Sequence, residues 1–338
     1  MYSLSYFLFS VFRRTPEARM EDQLTEASSC MSAINVATTT DRSTGASPDN
    51  STALLPLQEA TRRMLIFFSA IILLSGVFGN VMILLILGRL KSSGSSMDIF
   101  FRALAVSDSI LLIATSLREV LEGIFDTDFY SLHSVVCKFF IWMLYVTGVL
   151  SPWLLVAMTA QRAMSVVWPL RVKVLCTRKK SKLVLLALIL LIMLLHAHAL
   201  YGNDVFMDCG EEICSMDLYY GDFLTDIWSW VDLIIFSLLP FLLLIGSNTI
   251  MIWKLTSFVK NARIALSSGQ SDPATIRNSR ASSLTLTLIF LSITFLFLTM
   301  PYSIFLILYD TLDNKIEDEY DLSIFSFLCA FFSLTVVL

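Results

Sequence analysis

The chain has 338 residues, of which 56% are hydrophobic and only 15% charged, with a net charge of −4. Soluble domains carry about a quarter charged residues, and a soluble core of this length could not hide so much apolar surface, so the composition excludes a water-soluble globule and points to lipid as the solvent. The six cysteines include no C-x-x-C pair and there are only three histidines, which argues against a zinc site.

In chain order, residues 2–12 are apolar but are followed by Arg13 and Arg14, the reverse of the charge order of a signal peptide, and Met20 is an alternative start. Residues 1–63 are expected to form an extracellular, largely disordered tail, because 13–61 are polar and rich in Ser, Thr and Ala. Asn50-Ser51-Thr52 is a glycosylation triplet just ahead of the first apolar run. Residues 64–338 then read as apolar spans at 64–87, 99–121, 135–161, 183–200, 228–253 and 284–309, with a seventh from Leu322 that is cut short at Leu338. At about 1.5 Å per residue, the first six are long enough to cross a hydrocarbon core of about 30 Å. Lipid offers an open backbone no hydrogen bonds, so each is predicted to be a helix. The predicted fold is an all-α membrane protein, a seven-transmembrane helix bundle with its seventh helix truncated.

Charge sets the orientation. The loop after span three carries Arg171, Lys173, Arg178, Lys179, Lys180 and Lys182 with no acid, and the loops after spans one and five are also basic. The loop before span five holds Asp204, Asp208, Glu211, Glu212, Asp217, Asp222 and Asp226, and the loop after span six is acidic too. Basic loops stay in the cytosol, so the tail lies outside, in a multi-pass plasma-membrane protein. This asymmetry argues for orientation in a bilayer and not for nucleic-acid binding. Arg62 and Arg63 sit on the opposite side from the rule, against the weight of the other loops.

Polar residues inside lipid are costly and need a reason. Asp108 lies midway along span two, with Asn80 of span one and Ser151 of span three as donors. Together they read either as a hydrated pocket able to hold a sodium ion or as a structural hydrogen-bond knot. Arg162 sits at the inner end of span three, where an arginine can also simply snorkel to the interface. Pro152, Pro240 and Pro301 fall inside spans three, five and six and can kink them. His196 and His198 read as interfacial polar residues at the outer end of span four.

Together these residues resemble the rhodopsin-like (class A) G protein-coupled receptors. Gly79-Asn80 resembles that family's span-one motif and Leu104-Ala105-x-x-Asp108 its span-two motif. Cys137 heads span three, Arg162 follows it by 25 residues, and Pro169 and Leu170 lead into the second inner loop. Pro240, and Phe295 with Pro301, match spans five and six. The chain also departs from the pattern. Gln161 replaces the usual acid before Arg162, Ala163 the aromatic after it, and Thr299 the span-six Trp, while Asn248 stands where span five often has Tyr. Gln161 offers Arg162 a neutral bond in place of a charge-assisted one, so raised ligand-free signalling is expected.

The resemblance implies an outer disulfide from Cys137 to the loop before span five, with Cys214 preferred and Cys209 the alternative. The amine-pairing Asp of span three is replaced by Leu144, which argues against monoamines. Glu119, Glu122 and Asp232 at the outer mouth concentrate cations, and Trp142, Tyr145, Trp230, Tyr302 and Phe305 offer aromatic walls. The Trp228-x-Trp230-x-Asp232 run resembles invertebrate neuropeptide receptors. The expected ligand is a basic peptide, and the expected inner partner a heterotrimeric G protein meeting Gln161, Arg162, Pro169 and Leu170. Phe295 is expected to repack near Pro240 and Pro152 as span six swings about Pro301. No nucleophile–base pair, phosphate loop or metal cluster is legible, so no enzymatic activity is expected, and no cofactor beyond an allosteric sodium ion. The rival readings are a seven-span receptor that no longer signals and, more remotely, a transporter or channel. A transporter would need more charge along a path than Asp108 and Arg162 supply.

Overall fold

The structure, a computed structural model, describes residues 51–89, 96–125, 127–208, 211–216, 228–267, 286, 288–295 and 297. Among them, five helices are long and apolar enough to cross a membrane: Ile66–Arg89, Met97–Phe125, Ser134–Val167, Arg178–Leu200 and Trp230–Lys254. These are spans one to five, within a few residues of the predicted bounds. The described residues of span six are helical; its remainder and the seventh span lie outside the described residues.

Two segments differ from the sequence-based expectation. Residues 51–63, assigned to a disordered tail, belong to one continuous helix, Ser51–Arg89. They are rich in helix formers (Ala, Leu, Gln, Glu, Arg), and extending an existing helix needs no new nucleus. The acidic outer loop is also ordered in part, as the antiparallel strands β1 (Asn203–Asp208) and β2 (Glu211–Met216), with Val205 opposite Cys214.

The described residues fall into two compact units. The first takes residues up to Leu74, Ile113–Leu144 and Ala197–Trp230; the second takes Ser75–Leu112, Tyr145–His196 and residues from Val231 onward.

In the first unit a disulfide joins Cys137, fully buried at the head of span three, to Cys214 of β2. Asp204 of β1 strengthens the same attachment, its Oδ2 lying 2.9 Å from Lys138 Nζ. The hairpin is thus tied to span three by a covalent bond and an ion pair from adjacent residues of that helix. Gly123 admits span one closely, since a Cβ there would lie 2.3 Å from Ile66 Cδ1. Arg118, 5% exposed, is the charge most in need of a partner. Its Nε and Nη2 donate to Asp128 Oδ1 and Oδ2 at 2.9 and 2.5 Å, and its guanidinium lies 4.1 Å from the centre of the Tyr130 ring. Asp128 also caps the short 3₁₀ turn Phe129–Leu132 by accepting from Tyr130 N. The Tyr130 hydroxyl donates to Ala114 O at 2.5 Å.

In the second unit span two packs on span four, and Ala163, Met251 and Ile289 join the inner parts of spans three, five and six. Span four exposes Leu183, Leu186, Leu190 and Leu194 at three- and four-residue spacing, an apolar stripe suited to lipid. Span two widens to a π turn at Ile113–Leu117 and span five at Leu233–Leu238.

Two predictions follow from the outer attachments. Arg118→Leu, which strands a half-buried carboxylate, should destabilise the protein by about 3 kcal/mol, read as a lower melting midpoint in detergent; no change would mean the Arg118–Asp128 pair is incidental. Hydrogen bonds from Ser134, Lys138 and Val205 hold the Asp204 carboxyl down at about 2, below its ordinary 3.8. A depressed pKa stabilises the fold above the unfolded value and loses that stabilisation as pH falls through the folded one. The melting difference between wild type and Asp204→Asn should therefore be constant above about pH 4 and disappear towards about pH 2.

Candidate functional site

The first unit brings two of the predicted ligand residues together. Glu119 and Glu122 stand on the outer turns of span two beside Arg118, both half-buried. Arg118 is engaged by Asp128, and among the described residues Glu119 and Glu122 add two further carboxyl groups beside it. Trp142 is half-buried with its ring 6.2 Å from that of Phe139, while Trp230 is 61% exposed. Trp228 packs edge-on against His198 at 4.3 Å.

The second unit holds Tyr145 and Asp232, with a residue between them that the sequence reading placed elsewhere. His196 is not interfacial but wholly buried. Its ring stacks on Tyr145 at 5.6 Å, its Nδ1 lies 3.0 Å from Ile192 O, and its Nε2 lies 3.3 Å from Asp232 Oδ1. A carbonyl can only accept, so Nδ1 carries a proton. Asp232 thus has a partner inside the protein. Tyr302, Phe305, Pro301, Cys209 and Asn50 lie outside the described residues.

Deeper in the second unit, Ser151 Oγ donates to Asp108 Oδ1 at 2.6 Å and lies 3.2 Å from Ser107 Oγ. Ser107 Oγ in turn donates to Thr147 O at 3.3 Å. Two hydroxyls and a carboxylate therefore share one buried point. Asn80 is buried as well, but its Nδ2 makes no hydrogen bond. The expected donation from span one to Asp108 is thus not among the contacts formed.

Pro152 and Pro240 are buried in spans three and five, and Phe295 is buried in span six. Pro240 follows the π turn directly, and Leu239 N bonds to Ile234 O across five residues. In that register the donor to Ile235 O would be residue 240, and proline has no N–H. The indole of Trp153 takes its place, Nε1 donating to Ile235 O at 3.0 Å.

At the inner end Gln161 Nε2 donates to Ser96 Oγ. Arg162 is half-buried and its Nε lacks a hydrogen bond; both amide atoms of buried Asn248 lack one too. Pro169 opens a short helix, Pro169–Leu175, at the position where its missing N–H costs nothing. Leu170 on that helix is 80% exposed, and Val174 is exposed beside it.

The sequence reading missed Arg118, His196 and Trp153. An arginine towards the far end of an apolar span was a usable signal, since such a charge requires a partner. The pairings of His196 and Trp153 depend on helix rotation, which one sequence does not fix.

The family model for the 7 transmembrane receptor (rhodopsin family) matches residues 79–336. The mouse thyrotropin-releasing hormone receptor is 25% identical over 160 residues, covering 45% of this chain and 40% of its own length. The rat probable G-protein coupled receptor 19 is 31% identical over 117 residues, covering 35% of this chain and 27% of its own. The rat gastrin/cholecystokinin type B receptor is 31% identical over 118 residues, with coverages of 35% and 26%. The chain thus matches less than half the length of each of these relatives. The family match spans more than half of the chain, and its apolar helices are those of a multi-pass membrane protein: the chain belongs to the rhodopsin family of seven-transmembrane receptors, which are not enzymes.

Proposed function

We propose that the protein is a plasma-membrane receptor, amino terminus outside, that binds a basic extracellular peptide and activates a heterotrimeric G protein. The observation that carries the ligand class is the excess of carboxylate around Arg118. Glu119 and Glu122 stand beside it on the last turns of span two, with Asp128 bonded to it, and such a concentration of carboxylates attracts a cation. One of the similar proteins is named as a receptor for thyrotropin-releasing hormone and another as a receptor for gastrin/cholecystokinin, which agrees with a messenger ligand. Asp232 enters as a weaker anchor, because His196 already occupies one of its oxygens.

The mechanism is a shift between two helix packings, driven by a ligand that binds one of them better. Span six turns about Pro301 while Phe295 repacks near Pro240 and Pro152. The inner end then opens at Arg162, and Pro169 and the exposed Leu170 give the second inner loop an apolar surface for the G protein. Catalytic groups have no part in these steps.

The Asp108 point fits a small hard cation, since it offers a carboxylate and the oxygens of Ser107 and Ser151. A sodium ion bound there would neutralise Asp108 and hold spans two and three together.

Two tests apply. In cells screened with a peptide library, Glu119→Gln and Glu122→Gln should each weaken the potency of the activating peptide by about tenfold or more, and Asp232→Asn by less. Activation by a neutral or lipid ligand, with potency unmoved by these changes, would defeat the basic-peptide reading. Replacing potassium by sodium should raise the melting midpoint of the purified wild type but not of Asp108→Asn. An equal response from both would place any sodium effect elsewhere.

A further inference from the structure

The inner end of span three lacks the acid that would ordinarily sit beside Arg162, because its neighbour is the neutral Gln161. Gln161 makes a bond of a different kind. Its Nε2 donates to Ser96 Oγ, on the residue that leads into span two. That contact fixes the first turn of span two against the inner end of span three. Asp98 stands in this turn, two residues beyond Ser96, and is half-buried. Arg162 is half-buried too, with Nε free of hydrogen bonds. Asp98 is the acid whose charge reaches Arg162. The described residues on this side of the bundle, 87–89, 96–102, 161–182 and 254–267, contain no other Asp or Glu and many Lys and Arg.

We propose that Asp98 is the positioning residue for Arg162, an acid supplied by span two in place of the one missing from span three, with the Gln161–Ser96 bond holding the two helices in register. The inference rests on the receptor reading for its signalling consequence, while the pairing itself does not. An acid on the same helix as the arginine would travel with it. An acid on another helix restrains it only while the two helices keep their relative position, so helix movement itself releases Arg162. The restraint also replaces the expectation of raised ligand-free signalling, which followed from Gln161 alone.

Asp98 has a rival role. An acid in the first turn of a helix favours the positive end of the helix dipole, whatever happens at Arg162. A double-mutant cycle separates the two. In purified full-length protein, Asp98→Asn should lower the melting midpoint by roughly 3 °C in the native background and cause no further loss once Arg162→Gln is present. In membranes with a panel of heterotrimeric G proteins, ligand-free nucleotide exchange per receptor should rise about fivefold in Asp98→Asn and fall back when Gln161→Glu is added. Equal melting losses in both backgrounds would overturn the proposal. So would exchange that Arg162→Gln abolishes but Asp98→Asn leaves unchanged. Coupled melting with no exchange from any variant would support the pairing and sink the receptor reading instead.

Discussion

Lipid cannot hydrogen-bond a peptide group, and the structure of this chain is organised by that constraint. A helix that keeps α-helical register satisfies itself; one that leaves it strands a carbonyl, which must find another donor. Spans two and five leave it at Ile113–Leu117 and Leu233–Leu238. Each irregularity is met by an aromatic side chain with a polar tip. Tyr130 gives its hydroxyl proton to Ala114 O, and Trp153 its indole proton to Ile235 O. The irregular turns are therefore supported in part from outside their own helices.

The same rule governs charge. Arg118 is closed off by Asp128 and the face of Tyr130, His196 by Asp232, and Asp108 by Ser151. Buried polar groups are usually satisfied, and those that are not call for a reason. At the inner end, Gln161 Oε1, Arg162 Nε and both amide atoms of Asn248 have no hydrogen-bond partner. Here the packing is tied by apolar contact among Ala163, Met251 and Ile289, which is non-directional and leaves the polar groups available to a second arrangement.

The course of the spans was legible in sequence because hydropathy is summed over some twenty residues, so errors at single positions cancel. Single residues fixed other features. The family resemblance narrowed the bridge of Cys137 to two cysteines, and it is Cys214 that the structure joins to it. What depends on helix rotation was not legible. His196 and His198 are two residues apart and look equivalent on paper, yet one turns inward to Asp232 and the other packs on Trp228. Likewise the acidity of the outer loop was plain, but not that β1 and β2 would pair within it, since strand pairing rests on contacts beyond the loop, through Cys137 and Lys138. Asp98 went unremarked because an acid at a helix start has an ordinary explanation, and only the Gln161–Ser96 contact sets it beside span three.

Pro240 and Trp153 belong to different helices, but chemically they are one device. The proline removes a donor and the indole restores it. In a chain with an ordinary residue in place of Pro240, the backbone amide and the indole could both donate to Ile235 O, since a carbonyl has two lone pairs. Loss of the indole while the proline remained would leave a bare carbonyl facing hydrocarbon. The indole therefore matters most while the proline is present, because span five itself then offers no donor at that register.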